Sequence, residues 1–200
     1  MAKDAKQTLL EFKKRLDPLI EEFFDDYLEE TDDLSDDARY AIGVIKDYTV
    51  RGGKRLGAAF TYFSYILLYG ENEEEIMKAS IFVEIIQAYL LMEDDYMDRS
   101  NIRRGRPTSH VIYTEYFRKH FSGKDEEHVG ASLALTAAII ASHMSQRYLS
   151  ELDFPSDRKI LMLSKINDRL MYTGMGQIHD ILSEVKQNIT QEEAMLVHRW

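Results

Sequence analysis

Apolar residues recur along this chain at steps of three and four, and strand-like alternation is nearly absent. In LLEFKKRLDPLIEEFFDDYLEE the positions Leu9, Phe12, Leu16, Leu19, Ile20, Phe23 and Leu28 fall on one face of an amphipathic helix, with Pro18 placed to kink it. Ser35-Asp36-Asp37 reads as the start of a second helix running toward Tyr48. Gly52-Gly53 then interrupts the pattern before the apolar AAFTYFSYILLYG. A third long helix is predicted from Glu73 to about Asp98, and a shorter one over SHVIYTEYFRKHF. After a loop at Gly123-Lys124-Asp125-Glu126, an Ala-rich run extends from about His128 to Leu152. Phe154-Pro155-Ser156-Asp157 breaks the chain and caps a helix reaching about Val185, and a last helix begins near Thr190. With three prolines and ten glycines in 200 residues, the predicted fold class is all-α, a helical bundle.

Composition adds bounds. A 44% hydrophobic content without a composition break predicts one domain over residues 1–200. There are no cysteines, hence no disulfide, thiolate metal site or cysteine nucleophile. The N-terminal MAKDAKQTLLEFKKRLD is too charged for a signal peptide, and nothing reads as a membrane span, so the expected location is cytoplasmic. A net charge of -10 argues against nucleic-acid binding. Any anionic ligand must be held by local positive charge or by metal.

That requirement focuses attention on EDDYMDRSNIRRG, four acids in six residues followed by two arginines. On a helix, Glu84, Gln87, Leu91, Asp94 and Asp98 form one stripe, with Asp94 and Asp98 a single turn apart. Two carboxylates aimed into one volume repel, and a hard cation such as Mg2+ is their natural counter-charge. Arg103-Arg104-Gly105-Arg106 follows directly, and the planar guanidinium suits phosphate oxygens. The plainer reading is an acidic helix end salt-bridged to a basic loop. Upstream, Arg51-Gly52-Gly53-Lys54-Arg55 sets cations at a helix start, where free N–H groups favour an anion. Downstream, Thr173, Gln177 and Asp180 make a second polar stripe on a mostly apolar helix. Asp25-Asp26 with Glu29, and the run DDLSDD, are read as solvated faces and caps. The spaced tyrosines and methionines are read as core filler, and His143 as a satisfied core histidine.

Taken together these segments resemble the trans-prenyltransferases, the isoprenyl diphosphate synthases. The resemblance is carried by GGK at Gly52 to Lys54, the pair Glu84 and Gln87, DDYMD at Asp94 to Asp98, RRGRPTSH at Arg103 to His110, and T..GQ..D from Thr173 to Asp180, in family order. It implies a helical fold of the isoprenoid synthase type with a central cavity. Mg2+ held by Asp94 and Asp98 would bind an allylic diphosphate there, and isopentenyl diphosphate would add to the allylic cation. By the same resemblance Arg103 holds the allylic diphosphate; Lys54, Gln87 and Arg104 hold isopentenyl diphosphate; Gln177 and Asp180 lie on the allylic side; and the protein is a homodimer.

Three departures bear on that reading. Gly57 stands where the family has an arginine three residues past the lysine, and Arg51 or Arg55 is the candidate substitute. Ala138-Ile139 stands where a Gly-Asp pair is expected. The chain ends at Val197-His198-Arg199-Trp200, about where the family's Lys-Thr pair begins, so the second aspartate-rich motif is expected beyond it or on a second chain. The alternatives are a non-catalytic helical partner of an active synthase and a class I terpene cyclase. Tyr89 and Leu90 lie about one turn before Asp94, where a bulky ring would floor the growing chain unless it only packs in the core. One aromatic at that place, without an insertion in DDYMD, resembles archaeal twenty-carbon synthases. Geranylgeranyl diphosphate is therefore the expected product, with farnesyl diphosphate next.

Overall fold

Phe12, Leu16, Ile20 and Phe24 form the buried stripe of α1 (Ala5–Glu30), which runs on through Pro18 without a break in its assignment. The computed structural model describes residues 4–199 except Asp32, Tyr69 and Gln187, and only the backbone of 197–199; Asp32 of the acidic run, Tyr69 of the third apolar segment, the first three residues and Trp200 therefore lie outside the described residues. The next helices start where capping chemistry puts them. Ser35 Oγ accepts the Ala38 N–H at the head of α2 (Asp36–Val50), and Asn72 Oδ1 accepts the Glu75 N–H at the head of α4 (Glu73–Met97). Between them α3 (Leu56–Leu67) follows the glycine pair. Then come α5 (Ser109–His120), α6 (Glu126–Glu151), α7 (Ser156–Val185) and α8 (Gln191–Arg199), so the chain is all-α as expected.

A small hairpin is the one unpredicted element. β1 (Ile102–Arg103) pairs antiparallel with β2 (Arg106–Pro107), Ile102 opposite Pro107 and Arg103 opposite Arg106. Its turn residues Arg104 and Gly105 have φ of 53° and 75°, the doubly positive pattern of a two-residue turn that matches strand twist. Two residues per strand are too few to show period-two alternation.

The chain divides into two compact units, residues 1–152 and 153–200. In the first, α4 is buried nearly all round, through residues such as Met77, Phe82, Ile85, Ala88 and Met92. It packs against α1, α2, α3, α5 and α6. The small residues of α6 (Ala131, Ala134, Ala137, Ala138, Ala141) let neighbouring helices approach closely. At Gly130 the approach admits no side chain, since an added Cβ would lie 2.0 Å from Thr114 Oγ1. Length and composition alone would allow α6 to cross a membrane; in this fold it packs against α4 and α5.

Two expectations need correction. His143 is exposed, because it sits on the outward face of α6, so it is not a core histidine. Tyr48, Tyr62, Tyr89, Tyr113, Met77, Met92 and Met144 are buried core filler, but Met171 and Met175 on α7 are exposed. The acidic run behaves as expected: Asp25 pairs with Lys46 at 2.5 Å, Ser35 caps α2, and Asp37 accepts the Tyr116 hydroxyl.

In the second unit α7 packs against α8, and only Gly176 of α7 is buried. The head of α8 is a capping box: Glu193 N–H donates to Thr190 Oγ1 at 3.2 Å while Thr190 N–H donates to Glu193 Oε2 at 3.0 Å. Hydrogen bonds and the charge of Lys186 hold the Glu193 carboxyl down at about 2. A depressed carboxyl stabilises the fold above its unfolded value and loses that contribution as pH falls through the folded one. The first turn of α8 should therefore fray on acidification from about pH 4 toward 2. Amide exchange at Glu193 should accelerate over that window; acceleration only below it, or none, would show that the box does not hold the turn.

Candidate active site

The acidic end of α4 presents three carboxylates in different surroundings. Asp95 is fully buried, Asp94 is half-buried and Asp98 is exposed. Asp98 N–H donates to the Asp94 carbonyl at 2.8 Å, which places the two acids one turn apart. Burial raises the Asp94 carboxyl above its ordinary range, the nearby Asp98 charge raises it further, and Arg103 opposes both. The Asp98 charge thus reaches Asp94, as the sequence spacing requires.

The hairpin brings its arginines against this end. Arg103 donates from Nε to Asp95 Oδ1 at 2.6 Å and from Nη2 to Asp94 Oδ2 at 3.0 Å. Asp95 has a second partner unforeseen from sequence: Tyr48 O–H donates to its Oδ2 at 2.9 Å, and Ser109 N–H donates to the Tyr48 oxygen at 2.7 Å. Burial first, then the Asp95 charge, pushes the Tyr48 phenol up to about 12, so it remains a donor at ordinary pH.

Arg104, at the turn, reaches the glycine loop. A Cβ on Gly53 would lie 2.8 Å from Arg104 Nη2, and φ of 96° and 137° at Gly52 and Gly53 restricts both positions to glycine. Burial lowers the Arg104 guanidinium from its ordinary value, and the charges of Arg55, Arg103 and Arg51 lower it further. Four arginines therefore converge, the Glu84 charge opposes them, and Arg104 makes no salt bridge among the described residues. Lys54, the residue after Gly53, is exposed and makes no salt bridge among the described residues.

The two candidate substitutes for an arginine at Gly57 are already engaged. Arg55 is buried against Asp17, Glu84 and the Thr49 carbonyl, and Arg51 binds Asp47 with its guanidinium 4.3 Å from the Tyr48 ring centre. Each keeps one terminal nitrogen, Arg51 Nη1 and Arg55 Nη2, buried without a hydrogen-bond partner among the described residues.

The Glu84-to-Asp98 stripe is not uniformly inward. Glu84 is buried on Arg55, Leu91 and Asp94 are half-buried, and Gln87 and Asp98 are exposed. The plainer reading of an acidic helix end bridged to a basic loop is therefore present as well, in the Arg103 pairs. Tyr89 is buried, and Leu90 is half-buried. Gln177 and Asp180 are half-buried on α7 of the second unit, and Thr173, one turn earlier, is exposed. Among the described residues no three His, Asp or Glu side chains form a metal-holding cluster.

Sequence comparison relates this geometry to known proteins. A short chain isoprenyl diphosphate synthase of Methanocaldococcus jannaschii is 34% identical over 104 residues, 52% of this chain and 29% of that protein. Farnesyl pyrophosphate synthase 1 of Cannabis sativa is 29% identical over 172 residues, 84% of this chain and 46% of that protein. The chain thus spans less than half the length of these relatives. Among solved structures, geranylgeranyl pyrophosphate synthase from Corynebacterium glutamicum, complexed with isoprenyl diphosphate and magnesium, superposes with a TM-score of 0.84 at 25% identity, covering 94% of this chain and 54% of that one. The synthetase from Pyrococcus horikoshii gives 0.75 at 23% identity, covering 96% and 51%, a likeness of fold. A family model described as polyprenyl synthetase matches residues 41–199, a span that begins in α2 and takes in the glycine loop, the acidic end of α4 and the arginine hairpin, and the chain belongs to that family.

Proposed function

We propose that the chain carries the first half of a prenyltransfer site, condensing isopentenyl diphosphate with an allylic diphosphate, within one isoprenoid-synthase-type domain of a cytoplasmic homodimer. The observation that carries this is the hairpin, which sets Arg103 on Asp94 and Asp95 at the acidic end of α4 and the adjacent Arg104 against Gly53 of the glycine loop that carries Lys54.

The donor set fits Mg2+, which takes one or two carboxylates and fills its remaining positions with water and phosphate oxygens. Asp94 and Asp98 would hold it, and when bound it would neutralise charge on the departing diphosphate. Arg103, anchored through Nε on Asp95, offers its terminal nitrogens to the allylic diphosphate as its C–O bond breaks and the electron pair leaves with the phosphate. Lys54, Gln87 and Arg104 hold isopentenyl diphosphate so that its double bond faces the allylic carbon; attack forms the new C–C bond, and loss of a proton restores a double bond. Gln177 and Asp180 serve the allylic side. Incubating the protein with an allylic diphosphate, isopentenyl diphosphate and Mg2+ should yield a product longer by five carbons; no condensation, alone or with a chain supplying a second aspartate-rich motif, would overturn the reading.

A second reading, a non-catalytic partner of an active synthase, draws on two observations. Gly57 is exposed at the first turn of α3 and supplies no guanidinium, and Ala138 is fully buried and followed by Ile139 where the family has an acid. Phosphate binding without condensation would favour it.

Product length follows from Tyr89, whose ring is buried about one turn before the acid pair. Geranylgeranyl diphosphate is the proposed product, ahead of farnesyl. Tyr89→Ala should shift the distribution toward longer chains by about one or more isoprene units on chromatography, because removing the ring opens a cavity along α4. An unchanged distribution would show that Tyr89 only packs the core.

A further inference from the structure

Asp95 is the most deeply buried charge among the described residues of the first unit, and it is not one of the two carboxylates proposed to hold metal. A carboxylate out of water must be matched by donors, and its two oxygens have one each: Arg103 Nε at 2.6 Å and Tyr48 O–H at 2.9 Å. Tyr48 is itself 3% exposed and fixed on two sides. Its oxygen accepts the Ser109 N–H at the first residue of α5, and its ring face carries the Arg51 guanidinium at 4.3 Å. One relay, Ser109 to Tyr48 to Asp95 to Arg103, thus joins α5, α2, α4 and the hairpin.

We propose that Tyr48 is a positioning residue that aims Arg103 at the reacting diphosphate by occupying the second oxygen of Asp95. The geometry explains how. Arg103 has an Nε–H and two terminal nitrogens, and a carboxylate readily takes two of them side by side. With Tyr48 on Oδ2, Asp95 accepts only the Arg103 Nε, and the Nη2 is left for Asp94 and the site beyond it. Without the phenol, a buried oxygen loses its donor, and a second N–H of the already bound Arg103 can take its place. Side-on pairing of that kind turns the guanidinium inward and removes Nη2 from the site.

This rests on the proposed function, and a double-mutant cycle separates the two. Binding of inorganic diphosphate is measured by calorimetry with and without Mg2+ for the parent, Tyr48→Phe, Arg103→Lys and the double variant. Tyr48→Phe is expected to weaken Mg2+-dependent binding about tenfold, Arg103→Lys at least as much, and the double variant no more than Arg103→Lys alone, because the tyrosine acts through that arginine. Losses that multiply, or a folded Tyr48→Phe that binds as the parent does, overturn the proposal while leaving the function intact. A parent that shows no Mg2+-dependent binding overturns both. If circular dichroism shows Tyr48→Phe unfolded, Asp95→Asn replaces it in the cycle: it preserves volume and loosens the same grip on Arg103, and the same non-additivity is required of it.

Discussion

Replacing Asp94 with alanine is expected to cut prenyl transfer by a factor on the order of a thousand, comparable to removing one preorganised charge-stabilising group from an active site. Asp94 is half-buried one turn from Asp98, whose charge raises the cost of ionising it, and its Oδ2 also receives Arg103 Nη2 at 3.0 Å. Alanine removes one of only two carboxylates proposed to hold Mg2+, and it strands no buried group, because Arg103 retains Asp95. The loss should therefore fall on metal-dependent diphosphate binding and on rate, with the melting temperature moving little. Asp25→Ala is the matched control: it removes an exposed acid paired with Lys46 on a different helix and should leave binding and rate as they are. Equal diphosphate affinity in chelator and in Mg2+ for the parent, or an Asp94→Ala protein with parental rate, would remove the acid pair from the mechanism.

The helices were legible because each carries its own signals. The α2 and α4 starts lie at side chains that do cap them, Ser35 and Asn72, and the Gly52-Gly53 break coincides with backbone angles that glycine alone tolerates. The Asp94–Asp98 pair was legible for the same reason: i and i+4 on a helix share a face whatever surrounds it. What escaped was set by tertiary packing. Asp95 lies off the stripe that marked its neighbours, so nothing in its spacing distinguishes a buried bridging carboxylate from a solvated one, and Tyr48 is one of twelve tyrosines. His143 was misjudged because an apolar run around a histidine does not say which side of the helix faces out. Arg55 reads from sequence as one more cation beside a phosphate loop; its left-handed backbone, φ 53°, and the acids from α1 and α4 that meet it appear only in the folded chain.

Arg55 is accordingly where the largest loss of stability is expected. Its side chain is 1% exposed and joins three helices: Nε donates to Asp17 of α1 at 2.8 Å, while Nη1 donates to Glu84 of α4 and to the Thr49 carbonyl of α2, each at 2.7 Å. Arg55→Ala should cost about 3–5 kcal/mol, the range for breaking a buried ion pair from one side. Most of that arises at Glu84, whose side chain is 8% exposed, has no other hydrogen-bond partner among the described residues, and keeps only the more distant charge of Arg104. Asp17 suffers less, being 33% exposed with Lys13 at 2.6 Å as a second partner. For a chain of this size the melting temperature should fall by roughly 10 °C. Because the cost lies in the stranded charge, neutralising it should restore stability: Arg55→Met with Glu84→Gln should melt well above Arg55→Ala, despite carrying one more substitution. Single and double variants that melt together would mean that Arg55 contributes through packing of its aliphatic stem, and that Glu84 finds water once the guanidinium is gone.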